Sequence, residues 1–239
     1  MTDSSAPLTE EELAAIRALD TPTIANALEL TDIRPWTDGF TRPEIKCMFP
    51  ELGTTVGYAV TVEIAAAVPG RKALPRDQYW EAIVATPAPR VVVLHDRDYP
   101  NPIGSFWGEV QGNIAKGLGC VGAITDGGVR DLNEARAMGF QFHAREVLVS
   151  HAYVHAEALG NTIEVGGLVV RPGDLIAADQ HGAIQIPLEI ARELPKLAAF
   201  LGEVEAVTIK AARADVVTPD TLRAASAEVA KLQENRPAY

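Results

Sequence analysis

The stretch TDGGVRDL, Thr125 to Leu132, sets two glycines ahead of an adjacent arginine and aspartate, Arg130 and Asp131. A guanidinium grips anionic oxygens and stays charged, while a carboxylate takes a hard cation or caps a helix. Twenty residues separate this pair from Glu109 in SFWGEVQG, which also follows a glycine, Gly108. Two carboxylates and an arginine make a site for a divalent cation together with an anionic substrate. Oxygen ligands of this kind suit Mg²⁺ or Mn²⁺, which keep several waters when so few carboxylates hold them. A plainer reading competes: Asp131 and Glu134 form a variant capping box, and the glycines only turn the chain from a strand into a helix.

The elements around these residues weigh on the choice. RVVVLHD (Arg90 to Asp96) and CVGAITD (Cys120 to Asp126) read as buried strands, and Trp107 to Gly117 and Leu132 to Met138 as helices. Strand alternating with helix is the signature of a parallel sheet. Neighbouring parallel strands end on one edge, so the Glu109 turn and the Arg130–Asp131 turn meet in a crevice where open α/β sheets bind ligands. The backbone amides of Val110 and Gln111, at a helix start, face the same crevice and suit an anion.

Elsewhere the pattern completes one domain. Thr9 and Glu12 form a capping box for a first helix, and Pro22 at the first position opens a second with Ile24, Ala27 and Leu28 on one face. Ile33 to Leu52 reads as a loop, Thr55 to Ala65 as a strand and Asp77 to Ala85 as a short helix. After Phe140 come short strands, FQFHAR, NTIEV, LVV, DLIAAD and AIQIP, punctuated by Gly166-Gly167, Pro172-Gly173 and Gly182. From Leu188 onward the composition is helical, interrupted at Pro219, where Thr218 or Asp220 caps a last helix. The expected fold is a single α/β domain over residues 1–239: a central parallel or mixed sheet flanked by helices, with N-terminal helices and a helical tail over about 206–239. Leading into and within that tail, Leu201, Val204, Val207 and Ile209 pack either on a neighbouring subunit or on the chain's own sheet.

Composition narrows the partners. The net charge is −11 with no Lys/Arg cluster, which argues against nucleic acid. Cys47 and Cys120 show no CxxC spacing, MTDSSAPLTEEEL has no apolar core of a signal peptide, and no membrane-length apolar run occurs. A soluble, cytoplasmic protein with a small-molecule substrate is expected. Other motifs fail on context. Gly117, Gly119 and Gly122 match GxGxxG, but they follow a helix and lead into a strand, the reverse of a dinucleotide site. His151 and His155 in HAYVH sit four apart on a segment read as strand or loop, where they are too far apart to share an ion, and they are assigned a structural or surface role. His95 and His143 lie in apolar strands as structural histidines, and no GxSxG elbow is present.

The spacing Glu109-x20-Arg130-Asp131 resembles the Asp/Glu-x20-Arg-Asp motif of the RraA-like family, which includes divalent-metal (class II) pyruvate aldolases acting on 4-hydroxy-4-methyl-2-oxoglutarate and 4-carboxy-4-hydroxy-2-oxoadipate. The resemblance extends through GAITDGGVRDL and VGGLVVRPGDLIAADQHGAIQIP (Val165 to Pro187), over roughly residues 20 to 205. It implies that Asp131 ligates the metal directly and that Glu109 holds a metal-bound water. It implies further that Arg130 contacts the substrate's oxo and carboxylate oxygens, and that Gly108, Glu109, Val110 and Gln111 bind through backbone amides. Homotrimers or homohexamers with sites at subunit boundaries are implied too, as is pyruvate release by aldol cleavage, oxaloacetate decarboxylation or both. Many members carry two apolar residues where this chain has Val110-Gln111, so the amides match while the substrate is open. The rival from the same family is a non-catalytic regulator that binds an RNA-degrading endonuclease. Such regulators tend to lack the acidic residue found here at Glu109, which favours the enzyme.

Overall fold

The computed structural model describes residues 7–70 and 73–237. Residues 1–6, part of the polar N-terminus read above, and the last two residues of the helical tail lie outside the described residues.

Helix α1 (Glu10–Arg17) starts at the expected capping box: Thr9 Oγ1 accepts from the Glu12 amide at 3.2 Å, and the Glu12 carboxylate accepts from the Thr9 amide at 2.7 Å. Helix α2 (Thr21–Glu29) is capped by Asp20, so Pro22 takes the second helical position rather than the first. The segment read as a loop holds a two-residue strand, β1 (Lys46–Cys47), and a single 3-10 turn at Pro50–Leu52. Two residues carry no periodicity for a sequence reading to detect. Then follow β2 (Thr55–Ala65), α3 (Arg76–Ala85), β3 (Arg90–Asp96), β4 (Ser105–Trp107), α4 (Glu109–Gly117), β5 (Cys120–Val129), α5 (Leu132–Ala137) and β6 (Gln141–Val147). The short strands are β7 (His155–Leu159), β8 (Ile163–Val165), β9 (Leu168–Val170), β10 (Leu175–Asp179) and β11 (Gly182–Ile186). Helices α6 (Leu194–Ala212) and α7 (Pro219–Gln233, capped by Thr218) close the chain.

The main sheet is mixed, in the order β1-β6-β5-β3-β2-β10-β11, with β4 beside the end of β5 and β7 beside β2. Strands β2, β3, β5 and β6 run parallel, and β1, β7, β10 and β11 run antiparallel to their neighbours. Both faces of the parallel part are buried, which explains its continuous apolar runs. Val62, Leu94, Trp107, Phe140 and Phe142 form the core of one face, with Tyr79 and Ile83 of α3 and Ala115 of α4. On the other face, Ala59, Val93 and Ile124 meet the separate β8–β9 hairpin through Val165, Leu168 and Val170. A third core joins α1, α2 and α6 to β10 and β11 through Leu13, Ile24, Leu28, Ile184, Ile186 and Leu197. The tail therefore packs in part on its own chain: Leu201 joins this core and Val204 is buried, while Ile209 stays 44% exposed. No helix among the described residues is long and apolar enough to cross a membrane.

One local event positions the candidate site. β3 pairs with β5 as far as Leu94–Thr125, after which β4 takes over with Ser105 opposite Gly128 and Trp107 opposite Val129. β5 therefore continues past Asp126, and Gly127 and Gly128 are strand residues rather than the expected turn. Close packing accounts for them. A Cβ on Gly127 would lie 2.7 Å from Asp96 Oδ2, and one on Gly128 would run into the Leu148 side chain.

Candidate active site

β4 and β5 end side by side, so the two turns read from sequence leave the sheet together. The Arg130 amide donates to the Trp107 carbonyl at 3.0 Å, tying one turn to the other. Asp131 then adopts a left-handed conformation, φ 54° and ψ 45°. Most residues with a side chain avoid this conformation, aspartate less than most, and such backbone is frequent at functional sites. The aspartate makes no side-chain cap to α5, which corrects the Asp131–Glu134 capping-box reading. Instead its Oδ2 accepts the Glu109 amide at 2.9 Å, at the start of α4. The carboxylate thus caps a helix other than its own, at the partly positive end of that helix.

Arg130 Nε stands 3.7 Å from the same Oδ2, and both side chains are a little over one-third exposed. Among the described residues, Asp131 Oδ1 accepts no hydrogen bond. Gly108 is needed for this approach: a Cβ there would lie 2.5 Å from Asp131 Oδ2 and 3.2 Å from Arg130 Cγ. As first-turn residues of α4, Val110 and Gln111 have amides with no intrahelical acceptor.

These groups open into a cleft of about 600 Å³, the size range of small-molecule sites. Gly108, Val110, Gln111, Arg130 and Asp131 line it, facing Tyr79 and Trp80 of α3 and the segment from His151 to Ala156. The sixth expected residue, Glu109, contributes its amide to the Asp131 contact, but its side chain is exposed and is not part of the cleft lining. Gln111 Oε1 is buried with no hydrogen-bond partner among the described residues.

The structure adds residues that the sequence reading set aside. His151 and His155 both line the cleft, with Arg76 and Tyr153. The His151 ring places Nδ1 2.7 Å from the Ala152 carbonyl, and Ala152 has a left-handed φ of 45°. Among the described residues only Asp32, Asp131 and Ala152 combine a side chain with positive φ, and two of these three line this cleft. The two histidines of HAYVH were visible as chemistry, but nothing local shows that their segment folds back on β4, where the Ser105 amide donates to the Ser150 carbonyl at 2.9 Å. His95 and His143 are the structural histidines expected: His95 Nδ1 lies 2.7 Å from Asp126 Oδ2, and buried His143 lies 2.8 Å from the Asp179 carbonyl. The GxGxxG match indeed spans the end of α4 and the start of β5.

Among the described residues no group of three or more His, Cys, Asp or Glu side chains is placed to hold a metal ion. The residues present would offer a hard divalent cation one carboxylate ligand, the open oxygen of Asp131, leaving its other positions to waters and substrate oxygens.

Fold and site together define a mixed α/β protein with a cleft, lined by Arg130 and Asp131, where β4 and β5 end. The chain belongs to the RraA-like family (Aldolase/RraA), whose model matches residues 21–185. Over 135 residues it is 30% identical to a Halalkalibacterium halodurans protein named provisionally as a 4-hydroxy-4-methyl-2-oxoglutarate aldolase, covering 55% of this chain and 59% of that protein. The match thus spans less than two-thirds of that relative's length. Among solved structures, an uncharacterized protein of Pseudomonas syringae pathovar tomato superposes with a TM-score of 0.71 at 23% identity, covering 93% of this chain and 96% of the other. Streptomyces coelicolor RraAS2, described as an unusual member of the RNase ES inhibitor RraA family, gives a TM-score of 0.66 at 20% identity, covering 84% of this chain and 96% of the other. These two likenesses establish the fold.

Proposed function

We propose that the protein is a lyase that breaks a carbon–carbon bond of a 2-oxo acid and releases pyruvate, by retro-aldol cleavage of 4-hydroxy-4-methyl-2-oxoglutarate or a similar acid, by decarboxylation of oxaloacetate, or by both. The observation that carries this reading is the strained Asp131, hydrogen-bonded to the α4 N-terminus beside Arg130 in a cleft.

Either reaction leaves the enolate of pyruvate, and its negative charge must be stabilised. Arg130 supplies fixed positive charge for the enolate oxygen and the neighbouring carboxylate, so its effect is largest in the transition state. The amides of Val110 and Gln111 add donors for the same anion. Asp131 would hold a Mg²⁺ or Mn²⁺ ion, with the Glu109 amide fixing the Asp131 carboxylate. Such an ion, when bound, polarises the 2-oxo group as a Lewis acid. The same reading makes the assembly a homotrimer or homohexamer. It is supported by apolar side chains left exposed near the ends of β4, β5 and β6: Val110 at 70%, Val147 at 55% and Val149 at 97%.

The test is pyruvate release from 4-hydroxy-4-methyl-2-oxoglutarate and from oxaloacetate, each with Mg²⁺ or Mn²⁺ and with excess chelator. Metal-dependent pyruvate from either acid is expected. Folded protein that releases none, yet captures an RNA-degrading endonuclease in a pull-down, would replace the lyase with the binding regulator.

A further inference from the structure

Retro-aldol cleavage needs a group that takes the proton of the C4 hydroxyl and returns one to C3 of the enolate. We propose that His151 is that group, a catalytic base of the cleft; the proposal rests on the lyase reading above.

The other cleft-lining candidates are unsuited. Asp131 Oδ2 holds the α4 amide, and the residue's open oxygen is the one assigned to the cation. Arg76 and Arg130 remain cations, and Tyr79 and Tyr153 offer hydroxyls rather than a basic nitrogen or carboxylate. His155 has both nitrogens engaged, Nδ1 at 2.8 Å from the Tyr153 carbonyl and Nε2 at 3.2 Å from Glu157 Oε1. The Glu109 carboxylate is not part of the lining. His151 differs from all of these. Its Nδ1 faces the Ala152 carbonyl, which only accepts, so in the neutral ring Nδ1 carries the hydrogen and Nε2 keeps a lone pair.

The surroundings hold that arrangement firmly. The Ala152 amide donates to Ser150 Oγ at 2.9 Å, and the Ser150 carbonyl is tied to the Ser105 amide of β4. Gly104 lets the segment approach so closely that a Cβ there would lie 2.6 Å from the His151 carbonyl oxygen. The base is thereby fixed to β4, the strand that leads into Gly108 and α4. The left-handed backbone of Ala152 is the strain this placement requires.

In the reaction, Nε2 takes the C4 hydroxyl proton as the C3–C4 bond breaks. The C4 oxygen's electron pair becomes the carbonyl of the departing fragment, and the C3–C4 pair passes into the enolate facing Arg130. The imidazolium then returns its proton to C3, giving pyruvate and a neutral ring, with no other reagent consumed.

The experiment compares wild type, His151→Asn and His151→Ala in steady-state pyruvate release from 4-hydroxy-4-methyl-2-oxoglutarate, with thermal melts to verify folding. Asparagine can still donate to the Ala152 carbonyl but has no basic nitrogen. Both variants are expected to lose about 100-fold in kcat with little change in KM. Imidazole added to His151→Ala should restore part of the rate. An asparagine variant with wild-type kcat, a loss confined to KM, or an alanine variant that imidazole does not rescue would overturn the role of His151 while active wild type keeps the lyase reading. Wild type that releases no pyruvate would overturn both.

Discussion

Asp126 and Asp131 lie five residues apart at the end of one strand, and the chain treats them in opposite ways. Asp126 is in extended backbone with its side chain 3% exposed; Oδ2 meets His95 Nδ1 at 2.7 Å and Oδ1 accepts the Asp96 amide at 2.7 Å. Asp131 is left-handed, 37% exposed, and has one oxygen on α4 with the other open. A carboxylate satisfied on both oxygens is spent on structure, because a buried group left unpaired is unfavourable. A carboxylate held by one oxygen has its other oxygen free, which is what the proposed cation site requires.

Mutations separate the two roles. Arg130→Ala and Asp131→Ala should each lower kcat for pyruvate release by about 1,000-fold, about 4 kcal/mol, Arg130→Ala with unchanged melting temperature and Asp131→Ala with the loss of only about 1 kcal/mol that removing the α4 cap entails. A variant that is slow only because it is unfolded would erase the contrast. Asp126→Ala should do the reverse, losing about 2–3 kcal/mol in urea unfolding because His95 and the Asp96 amide lose their acceptor, while activity per folded molecule is retained. Gly108→Ala sharpens the comparison from the other side. Its Cβ would displace the Asp131 carboxylate, and kcat should fall about tenfold, about 1.4 kcal/mol, with little effect on stability.

The smallest effect is a pH dependence. The hydrogen bond to Asp126 is the main cause that raises the His95 pKa above its usual 6.5. A raised histidine stabilises the fold fully below that value, and the contribution fades as pH climbs through the folded pKa. Burial pushes the Asp96 carboxyl up to about 6, so the native state keeps a proton that the unfolded chain releases, and stability falls as pH rises toward that value. Both slopes run downward with pH. Urea midpoints measured across the range should fall in two stages, and Asp126→Asn should remove the upper one; a profile with the same upper limb in that variant would place its cause elsewhere.

The candidate site was legible in part because Glu109 and Arg130–Asp131 follow successive sheet elements, and parallel strands deliver their ends to one edge whatever the details. Five of the six expected residues do line one cleft. The fold class, the capping box at Thr9 and strands β2, β3 and β5 were legible for the same reason: each carries its signal within its own segment. What could not be read depends on distant contacts. The three residues of β4 have no periodicity, yet they extend β5 through Gly127 and Gly128. Asp131 was read against Glu134, its neighbour in sequence, whereas its partner is an amide on another helix. His151 was assigned a structural or surface role, and its side chain is exposed; only the docking of its segment on β4 makes it part of the cleft wall.

The most direct test of the enolate site uses pyruvate alone, so the unknown remainder of the substrate does not enter. In D₂O with Mg²⁺ or Mn²⁺, the exchange of pyruvate methyl protons, followed by NMR, reports enolate formation. The account predicts exchange by wild type and its loss in Arg130→Ala and Asp131→Ala. Folded wild type that exchanges no protons, or an Arg130→Ala variant that exchanges them as fast as wild type, would contradict it.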